Sequence, residues 1–300
     1  PGSFKLFMGG TYDIFVTKIN VDGSSALYSA LFGGGKKDSV RGMDVDAFGN
    51  AYICGYTQSV DYPTTSGAFQ PAFYGNYPED QWNGFVTKIA ADGSALAYST
   101  YLSGQNDSSY SRLSARTEIT GIIVNERSEA IITGRTDVET FPVTTDGYQK
   151  KIRGRLDAFL TRFSADGTKL EYSTFFGGTR DDSGEALASN STGDIVIAGY
   201  TDSFNLPVTA SAVDDTLTGE VQFIMYDAFI AKFHFDSKPN GVGSSPKPSD
   251  FRITGVYPNP FNPSTTIDFF LPKPGKVVFS VYSVTGQKLR ETSMSYLERG

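Results

Sequence analysis

The sequence has little of the chemistry on which most enzymes depend. Its 300 residues contain one histidine, one cysteine and one tryptophan. A single cysteine excludes an intrachain disulfide, and a single histidine excludes any site that needs two. There is no run of about 18 apolar residues, so no transmembrane segment is expected. The net charge of −7 argues against a nucleic-acid partner, because phosphate contacts need clustered lysine and arginine.

Glycine and aromatic residues are abundant instead. The chain has 32 glycines, 23 phenylalanines and 17 tyrosines, and charged residues make up only 20% of it. Aromatic and β-branched side chains suit a pleated, half-buried surface, and glycine suits the turns between strands. No stretch sustains a 3.6-residue apolar period. The composition therefore predicts an all-β protein with very little helix.

An internal repeat is the strongest signal in the chain. The repeated segments are Asp13–Ile19, Asn83–Ile89, Asp157–Phe163 and Asp227–Phe233. Their phenylalanines, Phe15, Phe85, Phe159 and Phe229, are spaced by 70, 74 and 70 residues. An aspartate stands 7 residues after each phenylalanine, in an Asp-Gly turn in three of the four repeats. The length changes fall between hairpins, as expected of a rigid β scaffold with tolerant surface loops.

Each repeat of about 70 residues predicts four antiparallel strands. In the first repeat we expect them near 14–19, 26–32, 42–46 and 51–57, with turns at Asp22-Gly23 and Gly49-Asn50. We expect the recurring glycines Gly55, Gly134 and Gly199 to close the second hairpin of each repeat. Repeated four-stranded units indicate a β-propeller. A solenoid is the alternative, although its repeats are usually shorter.

Several motifs recur in one order: Gly42–Thr57 followed by Asp61–Gln70, and later Gly177-Gly178, Asp181-Asp182 and Gly199–Thr201. On these motifs, residues 10–235 resemble a bacterial β-propeller repeat of the SBBP type. It implies that the strand beginning near Gly42 is the innermost of its blade. Successive blades would then have two, four, four and three strands. On this basis we expect an arc of a larger propeller, with Phe4–Gly10 as the tail of an upstream repeat.

The composition changes after residue 236. We predict a propeller-repeat region over 1–236, a flexible linker over 237–250 and a different β module over 251–300, with strands near 267–271, 277–282 and 288–293. Tyr257–Ile267 and Val281–Leu289 closely resemble the C-terminal sorting domain of type IX secretion cargo. The resemblance implies an Ig-like β-sandwich, here partial and truncated, that contacts export machinery and directs the protein across the outer membrane.

His234 and Cys54 are the first residues to weigh for chemistry. His234 aligns with Asn20, Ala90 and Ser164, so we interpret it as an exposed strand histidine. Cys54 aligns with Thr133 and Ala198, which predicts a small buried residue; a nucleophile would need a basic partner to form the thiolate.

The remaining candidates also favour structural roles. Asp181-Asp182 leaves a structural Ca²⁺ site open, but calcium needs six to eight oxygen ligands and no ligand cluster recurs. Ser164–Thr168 is interpreted as a plain hairpin turn. The repeated basic column of Lys18, Lys88, Arg162 and Lys232 is interpreted as charge that keeps strand edges soluble. Tyr56, Tyr200 and Trp82 could stack on sugars, but packing between blades is favoured.

These observations predict a non-enzymatic repeat protein with no catalytic, cofactor-binding or metal-binding residues. We expect it to be secreted or held on the outer surface of a Gram-negative bacterium. Its role would be binding or adhesion, with a glycan or protein as ligand, or an architectural spacer. The alternative is a propeller-based glycan hydrolase or lyase, which would need a unique pair of carboxylates in a concave pocket.

Overall fold

A computed structural model describes most of the chain. The described residues are 9–75, 81–105, 115–190, 193–209, 212, 214, 226–235, 252–257, 266–270, 275–282 and 288–297. The chain divides into two compact units, Pro1–Asp236 and Ser237–Gly300, and each is described by itself. The predicted linker 237–250 and most of the segment Phe4–Gly10 lie outside the described residues.

The first unit consists of four antiparallel sheets arranged in chain order. The first blade contains β1 (Ile14–Ile19) and β2 (Ala26–Phe32). The second contains β3 (Asp38–Val45), β4 (Ala51–Thr57), β5 (Asn83–Ile89) and β6 (Leu96–Leu102). The third contains β7 (Thr117–Val124), β8 (Ala130–Thr136), β9 (Asp157–Phe163) and β10 (Leu170–Phe176). The fourth contains β11 (Asp182–Ser189), β12 (Ile195–Thr201) and β13 (Asp227–Phe233). For the described part of the first unit, the prediction of two, four, four and three strands is confirmed.

The predicted Asp-Gly turns connect the outer two strands of the first three blades. Gly23, Gly93 and Gly167 each have a φ of about 70°, a conformation that glycine adopts without steric cost. The preceding aspartate stabilises the turn, as where the Ser24 backbone N–H donates to Asp22 Oδ1 at 2.9 Å. These short hairpins fix the register of β1 with β2, β5 with β6 and β9 with β10.

The turn between the first two strands of each of the last three blades also contains a residue with a positive φ, and in the third blade this residue is not a glycine. Gly49 and Gly193 have φ values of 83° and 82° in the β3–β4 and β11–β12 turns. Ser128 occupies that position in the β7–β8 turn with a φ of 59°. Its carbonyl accepts a hydrogen bond of 3.0 Å from the Tyr52 hydroxyl of the second blade. A contact between blades therefore accompanies the strained backbone of a residue other than glycine.

The hydrophobic core lies between consecutive blades. One cluster joins Ile14 and Phe32 of the first blade to Phe85 and Tyr101 of the second. A second cluster joins the second and third blades, and a third joins the third and fourth. Because β strands present alternate residues to opposite faces, each complete blade contributes to two of these cores.

The strands β3, β7 and β11 lie beside one another along the inner edge of the blades. The Val124 backbone N–H of β7 donates to Asp44 Oδ2 of β3 at 2.7 Å. The Thr120 hydroxyl of β7 donates to the Gly184 carbonyl of β11 at 2.6 Å. The four-stranded sheets and their stacking are consistent with β-propeller-like blades.

The prediction that Gly55, Gly134 and Gly199 close a hairpin is wrong. These glycines lie within β4, β8 and β12, and the hairpin turns fall several residues earlier. Each faces a β-bulge in the neighbouring inner strand. A Cβ on Gly134 would lie only 2.0 Å from the Glu118 carbonyl oxygen, and Gly55 and Gly199 are equally crowded. The glycines recur because of this close backbone approach rather than a turn.

Within its described residues, the second unit contains four strands in two antiparallel pairs. β14 (Arg252–Tyr257) pairs with β15 (Thr266–Phe270), and β16 (Gly275–Tyr282) pairs with β17 (Lys288–Leu297). The three strands predicted in this region are present, and β14 precedes them. The sequence also predicts turns at 272–275 and 286–287; residues 272–274 and 286–287 lie outside the described residues, and Gly275 begins β16.

Candidate ligand-binding site

A backbone latch joins consecutive blades at one end of the first unit. Isolated parallel bridges pair Tyr12 with Lys37, Trp82 with Arg116, and Leu156 with Asp181. In each latch the next residue of the inner strand donates its N–H to the earlier partner; the N–H of Asp182, for example, donates to the Leu156 carbonyl at 2.7 Å. We call this end, where β3, β7 and β11 begin, the latch end.

Next to two of the latches, a buried carboxylate accepts hydrogen bonds from the loop that precedes the inner strand. Asp38 Oδ2 accepts hydrogen bonds from the Gly34 N–H at 2.7 Å and the Ser59 hydroxyl at 3.1 Å. Asp182 Oδ2 accepts from the Gly178 N–H at 2.7 Å and the Ser203 hydroxyl at 2.8 Å. Burial raises the pKa of both carboxyl groups above the ordinary aspartate value. These acids anchor the glycine-rich loops that lead into β3 and β11.

Asp157 is a second buried acid near Asp182 at the junction of the third and fourth blades. It accepts from the Gln149 amide at 2.7 Å and from the Arg153 and Gly154 N–H groups at 2.9 Å. Burial raises the pKa of Asp157 to about 6, and the charge of Asp182 adds to the effect. Asp157 is fully buried.

Among the described residues, the junction of the second and third blades has no such acid pair. Asn83 and Thr117 occupy the positions equivalent to Asp157 and Asp182. Thr117 exchanges hydrogen bonds with the hydroxyls of Ser103 and Thr136, at 3.1 and 2.9 Å. A neutral set of side chains therefore fills the same structural position, so the negative charge is not needed to build a junction.

Aromatic rings and cations form a continuous cluster on the latch end. Tyr56 and Trp82 stack with their ring centroids 4.6 Å apart and their planes at 18°. Lys37 and Arg41 lie 5.3 and 5.2 Å from the centre of the Tyr56 ring, and Arg116 lies 4.8 Å from that of Trp82. These distances place all three cations within the range of cation–π attraction.

The cluster continues across the third blade to the fourth through Glu118. This buried carboxylate accepts from Arg41 Nε at 2.9 Å and from Arg135 Nη2 at 2.6 Å. Arg135 Nη1 also donates to the Tyr200 hydroxyl at 2.6 Å. Burial alone would lower the pKa of Arg135, but the charge of Glu118 and its hydrogen bonds raise it above the ordinary value.

We call this cluster the aromatic–cation belt. Its members are Lys37, Arg41, Tyr56, Trp82, Arg116, Glu118, Arg135 and Tyr200. The belt carries positive charge in excess, although the whole chain is acidic. Arg116 is exposed, and the Arg41 side chain keeps 46% of its surface exposed while it contacts both Tyr56 and Glu118. The arginines of the belt are therefore held in place by neighbouring residues and are still accessible to a ligand.

A cleft of about 390 Å³ opens beside the belt. Tyr12, Phe15, Lys37, Arg41 and Tyr56 are among the residues that line it. Its size falls within the usual range of small-ligand sites, and its lining combines apolar rings with a few charged groups.

Of the residues singled out in the sequence, the structure brings Tyr56 and Trp82 together in the belt and His234 and Lys232 together at Asp194. Cys54 is buried in β4, as predicted, and burial raises the pKa of its thiol. His234 is exposed, as predicted, but its Nδ1 lies 2.5 Å from Asp194 Oδ1, a contact that the sequence did not reveal. Lys232 also pairs with Asp194, at 2.8 Å, and the hydrogen bonds from His234 and Lys232 hold the pKa of Asp194 well below its usual value.

The repeated basic column makes more specific contacts than a general solubility role predicts. Lys88 pairs with Asp46 at 3.5 Å, and the exposed fraction of its side chain is only 13%. Lys18 donates to the Ala91 carbonyl at 3.1 Å, and the Arg162 guanidinium lies 4.8 Å from the centre of the Phe235 ring. The column therefore fastens strands to neighbouring turns and rings.

The described residues contain no group of three or more histidine, cysteine, aspartate or glutamate side chains placed to hold a metal ion. Asp181 pairs with Arg155, whereas Asp182 accepts hydrogen bonds from within the protein. Asp166 in Ser164–Thr168 accepts from the Ser164 and Thr168 hydroxyls, as a hairpin turn does.

Within the part of the chain that the structure describes, no helix has the length and apolar character to cross a membrane. The fold and the belt define an all-β repeat protein with propeller-like blades joined at a latch end. A model of the SBBP β-propeller repeat family matches residues 27–63, which run from β2 through β4. No curated protein gives a significant match to the chain.

Proposed function

We propose that the first unit is a non-enzymatic binding module and that the aromatic–cation belt contacts its ligand. The belt is the observation that carries the proposal. It presents positioned guanidinium groups, the half-buried rings of Trp82 and Tyr200, and a neighbouring cleft at one end of three consecutive blades, whereas the Tyr56 ring is buried beneath its neighbours. Arginine, tryptophan and tyrosine are the residue types that most often dominate binding energy at interfaces.

The ligand that best fits the belt is an acidic glycan. Guanidinium groups bind carboxylates through two parallel hydrogen bonds, and aromatic rings pack against the apolar faces of sugars. Belt cations on several blades could contact successive acidic sugars along one chain. An acidic protein segment would satisfy the cations but would use the rings and the cleft less fully.

The buried acids support binding rather than hydrolysis. Glycoside hydrolysis needs two carboxyl groups that flank the scissile bond and can reach it. Asp38, Asp157 and Asp182 are instead buried, and each accepts hydrogen bonds from loops of its own junction. The neutral pair Asn83 and Thr117 at the equivalent position also favours a structural role for these acids.

We further propose that the second unit is an Ig-like sorting module and that the protein acts outside the cell. The proposal rests on the sequence resemblance over Tyr257–Ile267 and Val281–Leu289, together with the paired strands β14–β15 and β16–β17. The partner of this unit would be the export machinery. Fusing Ser237–Gly300 to a reporter and measuring its export tests this part separately.

A glycan array that includes acidic and neutral polysaccharides tests the binding proposal. We expect wild-type protein to bind acidic glycans, and this binding to weaken as salt is raised. Arg116→Ala should reduce the signal several-fold. Arg127→Ala, in the β7–β8 turn, is the matched control, because it removes an exposed arginine outside the belt. Binding that is equally strong in both variants, or directed to neutral glycans alone, would overturn the proposal.

A further inference from the structure

The three latches differ in the side chains beside their backbone bridges. In the first two latches an aromatic ring lies next to a cation; these pairs are Tyr12 with Lys37 and Trp82 with Arg116. In the third latch Leu156 replaces the ring and Asp181 replaces the cation. The inner-strand side chain of the latch therefore changes its charge at the junction of the third and fourth blades, both of which the structure describes.

The acid of the third latch holds an exposed cation. Arg155, the residue before Leu156, donates from Nε to Asp181 Oδ1 at 3.0 Å and from Nη2 to Asp181 Oδ2. A guanidinium binds the carboxylate of an acidic ligand through the same two parallel hydrogen bonds. The Arg155 side chain is 76% exposed, whereas that of Asp181 is 11% exposed. Asp181 therefore occupies the guanidinium from the protein side, and Arg155 remains within reach of a ligand.

An exposed ring lies between this ion pair and the belt. Tyr226 is 51% exposed, and its ring packs edge-on against the Tyr200 ring of the belt, with the ring centroids 4.8 Å apart. Burial and the nearby negative charge of Asp181 raise the pKa of Tyr226, so its phenol group lies close to the ion pair. A continuous surface therefore runs from Tyr200 through Tyr226 to Arg155.

The third latch does not need the Asp181 side chain to form. Its hydrogen bond runs from the Asp182 backbone N–H to the Leu156 carbonyl. Lysine and arginine occupy the position of Asp181 in the other two latches, which have the same backbone bridge. The contact that distinguishes Asp181 is the ion pair with Arg155. The effect of the acid therefore lies in what it does to this guanidinium.

We propose that Arg155 and Tyr226 form a further subsite of the belt for one acidic sugar residue, and that Asp181 limits its affinity by competing for the guanidinium. This inference rests on the binding function proposed above, because it extends the same surface towards the fourth blade. A ligand carboxylate that displaces Asp181 makes the same hydrogen bonds to Arg155 and leaves a mostly buried charge unpaired, so the exchange gains little. The Tyr226 ring packs against the apolar face of the bound sugar.

Isothermal titration calorimetry with polygalacturonate measures the competition by Asp181. Asp181→Asn should raise the affinity about 5-fold, because the ligand no longer competes with a full negative charge. Arg155→Ala alone should change the affinity by less than about 2-fold, since Asp181 already occupies this guanidinium. The double variant Asp181→Asn/Arg155→Ala should lose the gain, which shows that the gain acts through Arg155.

Glu129→Gln is the matched control for Asp181→Asn. Glu129 pairs with the exposed Arg127 in the β7–β8 turn, outside the belt. The control removes the same negative charge and releases an exposed arginine, so it should leave the affinity for polygalacturonate unchanged. Circular dichroism of each variant checks that it remains folded.

The outcomes separate the subsite from the binding function on which it rests. If wild-type protein binds and Arg116→Ala weakens the binding, an Asp181→Asn variant without any gain refutes the subsite alone. A gain that Glu129→Gln reproduces, or that the double variant retains, also refutes it. A gain that is equally large for poly-glutamate refutes the assignment to a sugar, because the Tyr226 ring then contributes nothing. Absence of binding in wild-type protein and in every variant refutes the binding function and the subsite together.

Discussion

The loops before β5 and β9 make three corresponding hydrogen bonds to the residue that begins the strand. Two of these bonds have the same direction in both loops, and in the third the donor and acceptor are exchanged. Before β5, the Gln70 amide and the Tyr74 N–H donate to Asn83 Oδ1, and Asn83 Nδ2 donates in turn to the Tyr74 carbonyl at 2.9 Å. Before β9, the equivalent glutamine and the Arg153 N–H donate to Asp157 Oδ2. In the third hydrogen bond of this loop, the side chain accepts instead of donating.

That third contact decides whether the junction is neutral or acidic. At Asp157 the partner is the Gly154 N–H, which donates to Oδ1 at 2.9 Å. A loop that offers three donors matches a carboxylate, whereas a loop that offers two donors and an acceptor matches an amide. The comparison indicates that the Asp157 carboxylate satisfies backbone N–H groups of its own loop.

The largest loss of stability should come from placing an aspartate at position 83, in the junction that is now neutral. Asn83→Asp would direct a carboxylate oxygen at the Tyr74 carbonyl and remove the donor that now satisfies it. We expect a loss of about 3 kcal/mol in the free energy of unfolding at pH 7, because a buried charge would face an acceptor. Urea denaturation monitored by circular dichroism measures this change.

Asn205→Asp is the matched control for this substitution. Asn205 is exposed, and its Oδ1 accepts from the Thr179 backbone N–H and hydroxyl at 2.9 Å. The second blade has Asp61 in the equivalent place, where it accepts from the Gly35 N–H. The control should change stability by less than about 0.5 kcal/mol. Equal losses in the two variants would contradict the role assigned to hydrogen-bond polarity.

The acidic junction should make stability depend on pH. The pKa of Asp157 is about 6 in the folded protein, above the ordinary value of about 4 for the unfolded chain. Its contribution is therefore complete below about pH 4 and is lost as the pH rises towards and through 6, because the unfolded state ionises first. The loss should amount to about 2–3 kcal/mol.

Asp157→Asn should remove this part of the pH dependence. The difference between wild-type and variant stability, measured by denaturation from pH 3.5 to 7.5, isolates the contribution of Asp157 from that of other acids. A difference that stays constant over this range would show that the carboxyl group does not titrate as proposed.

A smaller loss of stability should follow from replacing Ser203 of the fourth blade with valine, the residue at the equivalent position of the third blade. Val138 occupies the position equivalent to Ser203, whose hydroxyl donates to Asp182 and accepts from the Arg180 N–H at 2.9 Å. Ser203→Val should cost about 1–2 kcal/mol in the free energy of unfolding, because both partners lose a hydrogen bond. Thermal unfolding measures it, and a neutral or stabilising result would contradict the importance of this contact.

The sequence predicted the regular parts of this protein better than its connections. Strands, Asp-Gly turns and the burial of Cys54 follow from local patterns that recur from repeat to repeat. The belt was missed because Arg41 and Glu118 are 77 residues apart and meet only when neighbouring blades stack. Gly55 was misplaced because sequence spacing does not distinguish a turn from a close approach opposite a bulge. The reversed polarity at Asn83 depends on one backbone orientation, which no residue pattern encodes.

Trp82 offers the most direct test of the account, because the only tryptophan in the chain lies in the belt. Its fluorescence can be followed while polygalacturonate, an acidic glycan, is added. If the belt binds ligand and the buried acids support the fold, the emission should change saturably in wild-type protein and in Asp157→Asn. The change should be lost in Arg41→Ala. A response that Asp157→Asn abolishes and Arg41→Ala preserves would contradict the account.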